Sequence, residues 1–374
     1  MKLKRERSIL TGGIVEELSV IKDFPVFTGG TTNNKEDDLY HDLTFDICKQ
    51  TGIIQLRNLI DPDILYSIFH SEALGDVWEE HHNLFSKLII KYQDNNSILE
   101  IGGSDSRMAI RCLDETNIKK WTIIDPNIRV ESFNPKIKYN RDYFNKDKIK
   151  ELDFDMIVHS HVLEHIYDPK LFLQTLNDNM NDGDYHIFSI PNLYVYLKNK
   201  YINALTFEHT LFLTEEFMDY LLSCYGFVID EKSYYSNHSI FYVTRKQKTD
   251  PLKLPVRYQE HKNMYLAFFN YYKEFIDRLN EELKKTTKDV YLFGGHIFSQ
   301  YLIALGLDIS RIKCVLDNSK LKNGKRLYGT DLIIKFPDDI ELNWNSLIVL
   351  KAGSYENEIR MQLFCINPSI NFFE

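Results

Sequence analysis

The sequence Ser97-Ile-Leu-Glu-Ile-Gly-Gly-Ser-Asp-Ser106 has the pattern of an apolar strand followed by a glycine turn. A second apolar run, Trp121-Thr-Ile-Ile-Asp125, follows after the length of one helix and ends in a carboxylate. Gly102 and Gly103 would let the backbone approach a ligand above the strand ends, where Asp125 could accept hydrogen bonds from a ribose diol. These features predict the nucleoside-binding half of a doubly wound α/β sheet.

Two features of the turn favour S-adenosylmethionine (SAM) over NAD. The third glycine of G-x-G-x-x-G is missing, and Glu100 stands two residues before Gly102. We therefore expect SAM, with S-adenosylhomocysteine as its product, beside Glu100, Gly102 and Gly103. Asp142 and Tyr143 follow the predicted third strand and are expected neighbours of the adenine. A tight turn that binds nothing is the alternative interpretation.

The segment Phe154-Asp-Met-Ile-Val-His-Ser-His-Val-Leu-Glu-His-Ile-Tyr-Asp-Pro169 is predicted to be a buried strand that runs into a loop. The loop would lie at the carboxyl edge of the sheet, where open α/β sheets bind their ligands. His161 is expected near the cofactor, with a structural role as the alternative. Together, the three segments resemble class I SAM-dependent methyltransferases, in which an E-x-G turn, a strand-end acid and V-L-E-H-x-x-D-P follow in this order.

Composition excludes several other classes. With 374 residues, 44% of them hydrophobic, the chain is long enough for two or three domains. A formal net charge of −9 offers no basic surface, so nucleic acid is not an expected partner. Apolar runs such as Ser346–Leu350 are too short to span a bilayer. Since no signal peptide pattern opens the chain and the five cysteines form no paired framework, we expect a cytoplasmic enzyme.

The alternation of predicted strands and helices indicates three regions. Residues 1–90 form a small N-terminal module with a helix, and residues 91–248 a Rossmann-like domain with a largely parallel sheet and an antiparallel pair at one edge. Residues 249–374 begin with an amphipathic helix and predict a second Rossmann-like unit. The central strands are expected near 97–101, 121–125, 136–139, 154–160, 184–190, 227–234 and 238–245.

Over nearly its whole length the chain resembles bacterial sugar methyltransferases that act on nucleotide-linked sugars. That family has an N-terminal zinc-binding module with two C-x-x-C motifs, a SAM domain and a Rossmann-like C-terminal domain. Here Ser8, Thr11 and Thr51 occupy three of the four thiolate positions, and Cys48 keeps the fourth. Because a neutral hydroxyl is a poor zinc ligand, we expect a zinc-free module.

The C-terminal resemblance includes the glycine turn Gly294-Gly295 and the segment Val315–Gly329, which contains Asp317. A second cofactor site is one interpretation of these residues. We favour a structural or substrate-side domain that uses the same fold without a cofactor of its own.

The family's catalytic segment reads Y-H-E-H, and this chain has Thr206-Phe207-Glu208-His209 in its place. The resemblance implies that His209 is the general base, since a histidine can remove a proton from a hydroxyl as the methyl arrives. Glu208 would orient a neighbour, bind the substrate or form a local salt bridge. His165 is the second catalytic candidate, and packing roles for both histidines stay open. No metal-binding motif in helical register occurs, so we expect no catalytic metal.

The resemblance implies methyl transfer to a sugar, nucleotide-linked and destined for a surface polysaccharide such as a capsule. Carbon methylation of a keto-sugar needs a stabilised enolate, so the loss of the family's tyrosine and first histidine favours O-methylation. An NAD-dependent sugar oxidoreductase is an alternative of another class, although a three-glycine turn and a Tyr-x-x-x-Lys pair are lacking. A SAM-fold partner subunit that has lost activity is a further alternative.

Overall fold

The computed structural model describes residues 3–66, 75–94, 97–129 and 132–374. Its central feature is a seven-stranded sheet, in which five neighbouring parallel strands carry an antiparallel pair at one edge. This arrangement confirms the predicted fold class. The strands lie in the spatial order Phe227–Tyr235, Ser239–Lys246, Tyr185–Pro191, Met156–Ser160, Ser97–Ile101, Lys120–Ile124 and Ile137–Asn140.

Helices cover both faces of the central sheet, which explains why its inner strands are almost continuously apolar. Asp76–Tyr92 and Arg107–Glu115 pack on one face, where Phe85 and Trp121 belong to one buried cluster. Pro169–Asn179 and Glu215–Cys224 pack on the other. Short helices Lys146–Ile149 and Leu193–Lys198 follow two of the strands.

Asp168 shows how local sequence places a helix at the ligand edge. Its carboxylate accepts hydrogen bonds from the backbone N–H groups of Lys170 and Leu171, and Pro169 is the first helical residue. An N-cap aspartate followed by proline satisfies the exposed amides of the first turn. The helix therefore begins directly beneath the loop that carries His161 and His165.

The N-terminal module is a three-stranded antiparallel sheet of Val15–Pro25, Tyr40–Cys48 and Ile54–Leu56. Two short pairs add to it: Leu3–Lys4 with Asn58–Leu59, and Gly30–Thr31 with Arg326–Leu327. The sequence predicts a helix that starts at Asp61-Pro62 and continues through Trp78 and Phe85. In the structure Pro62–Leu65 and Asp76–Tyr92 are helical, and residues 67–74 lie outside the described residues.

The four positions of the family's zinc frame lie together in this module. Cys48 is fully buried, and its Sγ lies 3.7 Å from Thr11 Oγ1. Burial acts to raise the pKa of Cys48, but the hydroxyls of Ser8, Thr51 and Thr11 lower it. The frame therefore retains its geometry with three hydroxyls in place of thiolates, and the expectation of a zinc-free module stays a prediction.

The C-terminal unit begins with the long helix Tyr258–Lys285. A parallel five-stranded sheet follows, flanked by Ile297–Ala304 and Glu356–Ile366. Its strands lie in the order Ile334–Lys335, Ile312–Leu316, Asp289–Phe293, Ser346–Leu350 and Asn371–Phe373. None of the helices in the described parts of the chain combines the length and the apolarity that crossing a bilayer requires.

One apolar core joins all three regions. It contains Phe45 from the N-terminal sheet, Phe207 and Phe212 from the central domain, Tyr265 from the long helix and Val290 from the C-terminal sheet. Phe45 packs edge-on against Phe212, with ring centroids 5.7 Å apart. The segment 206–212 and the C-terminal sheet thus pack into the same buried core.

Candidate active site

A cavity of about 730 Å³ lies at the carboxyl edge of the central sheet. Gly102, Asp125, Tyr143, His161 and His165 all line it, so the structure brings most of the predicted cofactor residues together. The lining also includes Tyr66, Ile101, Ser104, Asn127, Phe144, Asn145, Lys146, Val162, Ile166, Leu171, Phe172 and Glu208.

Gly102 occupies a position that has no room for a side chain. Its φ is +80°, and a Cβ atom there would lie 2.7 Å from Val162 Cγ2. Its backbone N–H donates to the carbonyl of Ile124 at 3.0 Å, which ties the turn to the neighbouring strand. The turn therefore requires glycine for both its backbone conformation and its lack of a side chain.

Asp125 directly follows the strand Lys120–Ile124 and is only 8% exposed. Its Oδ1 accepts a hydrogen bond from the backbone N–H of Asn127 at 2.6 Å. This local turn fixes the carboxylate at the cavity wall, in the place where a ribose diol is bound in nucleoside sites of this architecture.

Glu100 and Gly103 lie beneath the cavity and do not line it. Glu100 Oε2 accepts a hydrogen bond from Trp121 Nε1 at 2.7 Å, and a Cβ atom on Gly103 would lie 2.4 Å from the Glu100 carboxyl carbon. Burial raises the pKa of Glu100 to about 8, against the effect of the Trp121 hydrogen bond. Glu100 thus supports the turn from below as a largely protonated acid at neutral pH.

The structure separates the two expected adenine neighbours. Tyr143 lines the cavity, whereas Asp142 turns away from the lining and pairs with Lys148 at 3.1 Å. Asn145 lines the cavity two residues further on, and Tyr66 reaches it from the N-terminal region. The sequence analysis missed both of these residues.

A second cavity, of about 450 Å³, lies between the central domain and the C-terminal unit. His161, His165 and Glu208 line both cavities, so the two meet at these side chains. The polar part of the second lining comes from both domains and further includes Trp78, Glu164, Asn203, Thr206, His209, His238, His296, Asp317, Asn318, Ser319, Lys322, Tyr355 and Glu358.

His209 and His165 lie next to each other at this junction, with ring centroids 5.2 Å apart. The Nδ1 of each faces a backbone carbonyl, at 3.1 Å from Ala204 O for His209 and at 3.2 Å from Glu208 O for His165. Because a carbonyl only accepts, both Nδ1 atoms donate, and each Nε2 is left as the basic nitrogen. Burial lowers the pKa of His209 to about 4, so its imidazole is neutral at pH 7.

Glu164 is a candidate that the sequence analysis missed, although it belongs to the V-L-E-H motif. It is 1% exposed, and its Oε1 lies 3.3 Å from His161 Nδ1 and 3.9 Å from His165 Nε2. Burial acts to raise the pKa of Glu164, but the hydrogen bond and charge of His161 and the charges of His165 and His209 lower it to about 2. A buried carboxylate thus stands among three histidines at the junction of the cavities.

Residues 74–232 match the family model of a methyltransferase domain. The central unit is a SAM-dependent methyltransferase domain. The match includes Gly102, Asp125 and the V-L-E-H segment, and it confirms the predicted enzyme class and cofactor.

Several solved structures are similar to part of the chain. The 1,6-didemethyltoxoflavin-N1-methyltransferase of Burkholderia thailandensis, with bound S-adenosylhomocysteine, is 13% identical over 46% of this chain and 82% of its own, with a TM-score of 0.36. The N-methyltransferase NodS of Bradyrhizobium japonicum is 16% identical over 47% and 100%, with a TM-score of 0.35. Likenesses this distant do not bear on the acceptor. No curated protein matches the sequence.

Proposed function

We propose that the protein transfers the methyl group of SAM to a hydroxyl of a sugar, nucleotide-linked and destined for a surface polysaccharide. The observation that carries the proposal is the meeting of the two cavities at His161, His165 and Glu208. The second cavity presents amide, hydroxyl, imidazole and carboxylate groups from two domains, and a polyol offers matching donors and acceptors.

The residues near Gly102 and Asp125 fit SAM, which supplies an electrophilic methyl group when bound. Gly102 leaves a cradle that a Cβ atom would fill, and Asp125 presents a fixed carboxylate beside it. Tyr143, Phe144 and Asn145 border the same cavity and would hold the adenine end. Backbone approach at the turn and a carboxylate at the next strand end are the features that nucleoside recognition requires.

His209 is the proposed base. Its Nδ1 is held by Ala204 O, so its Nε2 is free of this contact and can take the proton of a sugar hydroxyl. Its low pKa keeps the imidazole in the acceptor form, and Glu164 and Glu208 favour the imidazolium once the proton has moved. His165, held by the backbone of Glu208, would position the acceptor oxygen.

The two positions where this chain departs from the family's catalytic segment support O-methylation. Thr206 Oγ1 accepts hydrogen bonds from the backbone N–H groups of Glu208 and His209, at 3.1 and 3.2 Å. Phe207 lies in the apolar core, with its ring centroid 6.0 Å from that of Phe24. Phe207 offers no donor to an enolate oxygen, and the single O–H of Thr206 is the one donor that these two side chains provide, whereas a hydroxyl acceptor needs only a base and correct placement.

The C-terminal unit would bind the nucleotide part of the substrate. Both carboxylate oxygens of Asp317 are used within the protein: Oδ1 accepts from Ser319 N–H, and Oδ2 accepts from Gly295 N–H, each at 2.8 Å. Because both of its oxygens accept backbone hydrogen bonds, the Asp317 carboxylate closes the glycine turn and does not bind the ribose of a second cofactor. Lys322 Nζ lies 3.1 Å from Asp317 Oδ2 and lines the second cavity, where it can face a diphosphate.

Incubating the full-length protein with SAM and a panel of nucleotide-sugars, followed by mass spectrometry and NMR of the products, tests the proposal. We expect one added methyl on a sugar oxygen, and a rate of methylation lower by ~100-fold or more in the His209→Ala variant at equal protein concentration. A methyl group on carbon would refute O-transfer, and SAM binding without turnover on any sugar would favour an inactive partner subunit.

A further inference from the structure

We propose that His81, His161 and His238 bind one divalent transition-metal ion, with zinc as the expected metal. The three residues come from the helix Asp76–Tyr92, the loop after Met156–Ser160 and the turn before Ser239–Lys246. One ring nitrogen of each lies within 4.8 Å of the other two. The N-terminal thiolate frame is a different place in the fold and does not take part.

His81 is the residue that indicates a binding site. It is fully buried, and neither of its ring nitrogens has a hydrogen-bond partner within the described ranges. The rings of Trp78, Phe85 and Phe241 surround it on its apolar sides. Its polar ring neighbours are His82, His161, Tyr235 and His238, with centroids 5.2–6.0 Å away. A buried imidazole normally finds a partner for at least one nitrogen, and a shared ion would provide it.

The nitrogens of the other two histidines converge on one point. Ser239 Oγ lies 2.8 Å from His161 Nε2 and 2.6 Å from His238 Nδ1. An ion bound by the three imidazoles would either displace the Ser239 hydroxyl from these two nitrogens or lie next to it. The convergence places two donors from separate loops at the spacing that a bound ion needs.

Glu164 provides the carboxylate that commonly accompanies a metal-binding histidine. Its Oε1 lies 3.3 Å from His161 Nδ1, where a carboxylate favours the proton on Nδ1 and leaves Nε2, which faces Ser239, for the ion. Such a carboxylate fixes the tautomer and orientation of the ligand and makes it more basic. The negative charge of the buried Glu164 would also balance part of the charge of the ion.

Ligand chemistry favours zinc over magnesium or calcium. Three neutral imidazoles suit zinc and its first-row neighbours, whereas magnesium and calcium prefer oxygen ligands. A three-histidine set leaves the fourth tetrahedral position open. Because His161 and His238 line the second cavity, that position faces the acceptor side, where it could take a water molecule or a sugar oxygen.

Metal binding by the chelator-treated, dialysed full-length protein tests the proposal. We expect calorimetry with zinc chloride to give one site per chain, and elemental analysis after gel filtration to retain one zinc. Cobalt in the same site should give the visible absorption of a tetrahedral ion. His238→Ala and His81→Phe should each lower zinc affinity at least ~100-fold, and Glu164→Gln ~10–100-fold.

Two controls keep the outcome interpretable. His82→Ala removes a neighbouring imidazole from the same helix, outside the trio, and should leave zinc affinity unchanged. SAM affinity and circular dichroism show whether each variant folds. The absence of a stoichiometric site in the wild-type protein would overturn the proposal. So would a site lost in Cys48→Ser, or one lost in His209→Ala and kept in His238→Ala, which would place the ion elsewhere.

Discussion

Nδ1 of His209 lies 3.1 Å from the carbonyl oxygen of Ala204, and this contact determines which nitrogen of the imidazole is basic. The proton of the neutral ring resides on Nδ1, and Nε2 is available in the cavity lined by residues of both domains. A backbone carbonyl thus holds this histidine in one tautomer, as a carboxylate does in many hydrolytic enzymes.

His209→Ala is expected to lower the turnover number ~100-fold or more, because general-base losses are of this size. SAM affinity should stay unchanged, since His209 is absent from the lining of the cofactor cavity. His165→Ala should reduce turnover less and affect SAM binding more. Steady-state kinetics and SAM calorimetry measure both effects. A fully active His209 variant beside an inactive, SAM-binding His165 variant would assign the base to His165.

Asp125→Ala is expected to weaken SAM binding by ~1.5–3 kcal/mol, because it removes a charged acceptor at the cavity wall. Asp142→Ala is the matched control. That carboxylate pairs with Lys148 and lies outside the lining, so SAM affinity should change less than about twofold. Calorimetry compares the two variants. Equal losses would contradict the assigned cofactor position.

Gly102→Ala is expected to weaken SAM binding by at least ~10-fold, or ~1.4 kcal/mol, because its Cβ would press on Val162. The control variant Gly183→Ala separates the effect of this clash from the effect of a strained backbone conformation. Gly183 also has a positive φ, of +97°, but no atom lies within 4 Å of the position of its Cβ. Both variants should lose some thermal stability, and only Gly102→Ala should lose SAM affinity. Similar SAM affinities in the two variants would argue against a close approach at this turn.

The protein is expected to lose stability steeply as the pH falls below 6.5. Burial lowers the pKa of six histidines by a large amount in the folded state, to about 4 for His82 and His209, about 3 for His186 and His238, and well below the usual range for His81 and His159. It also lowers the pKa of His261. The unfolded chain therefore binds more protons between pH 6.5 and 4, so the free energy of unfolding falls with pH.

Each such histidine contributes a loss of ~1 kcal/mol between pH 6.5 and 5.5. Glu100 acts in the opposite direction, since its folded pKa of about 8 lies above that of the unfolded chain. Urea unfolding at a series of pH values measures the sum. An unfolding free energy that stays constant over this interval would show that these imidazoles are charged in the folded state.

Strand positions in the central sheet were predictable from sequence because parallel strands covered on both faces are short, nearly continuous apolar runs. Ser97–Ile101 was located to the residue, and the strand predicted at 154–160 begins two residues later, at Met156. The amphipathic helix expected near the start of residues 249–374 is present as Tyr258–Lys285, since an amphipathic repeat of that length has few alternative structures.

The site was less predictable. Spacing places Glu100 near the turn, but it does not reveal that the side chain points beneath Gly103 toward Trp121. The sequence likewise does not tell which of two adjacent residues, Asp142 or Tyr143, faces the cavity. His238 Nε2 lies 3.3 Å from the hydroxyl of Tyr355, which is 117 positions away in the sequence. This contact depends on how two units pack, and no local sequence pattern predicts such packing.

The apolar core that holds Phe207, Tyr265 and Val290 has a consequence for selectivity. Tyr196 and Ile297, which line the second cavity from the central domain and the C-terminal unit, both belong to that core, so its packing helps to set the width of the cavity. The cavity would then select acceptors by their length, because a longer or shorter link between sugar and nucleotide displaces the reacting oxygen. A displacement of that kind lowers the rate far more than it lowers affinity.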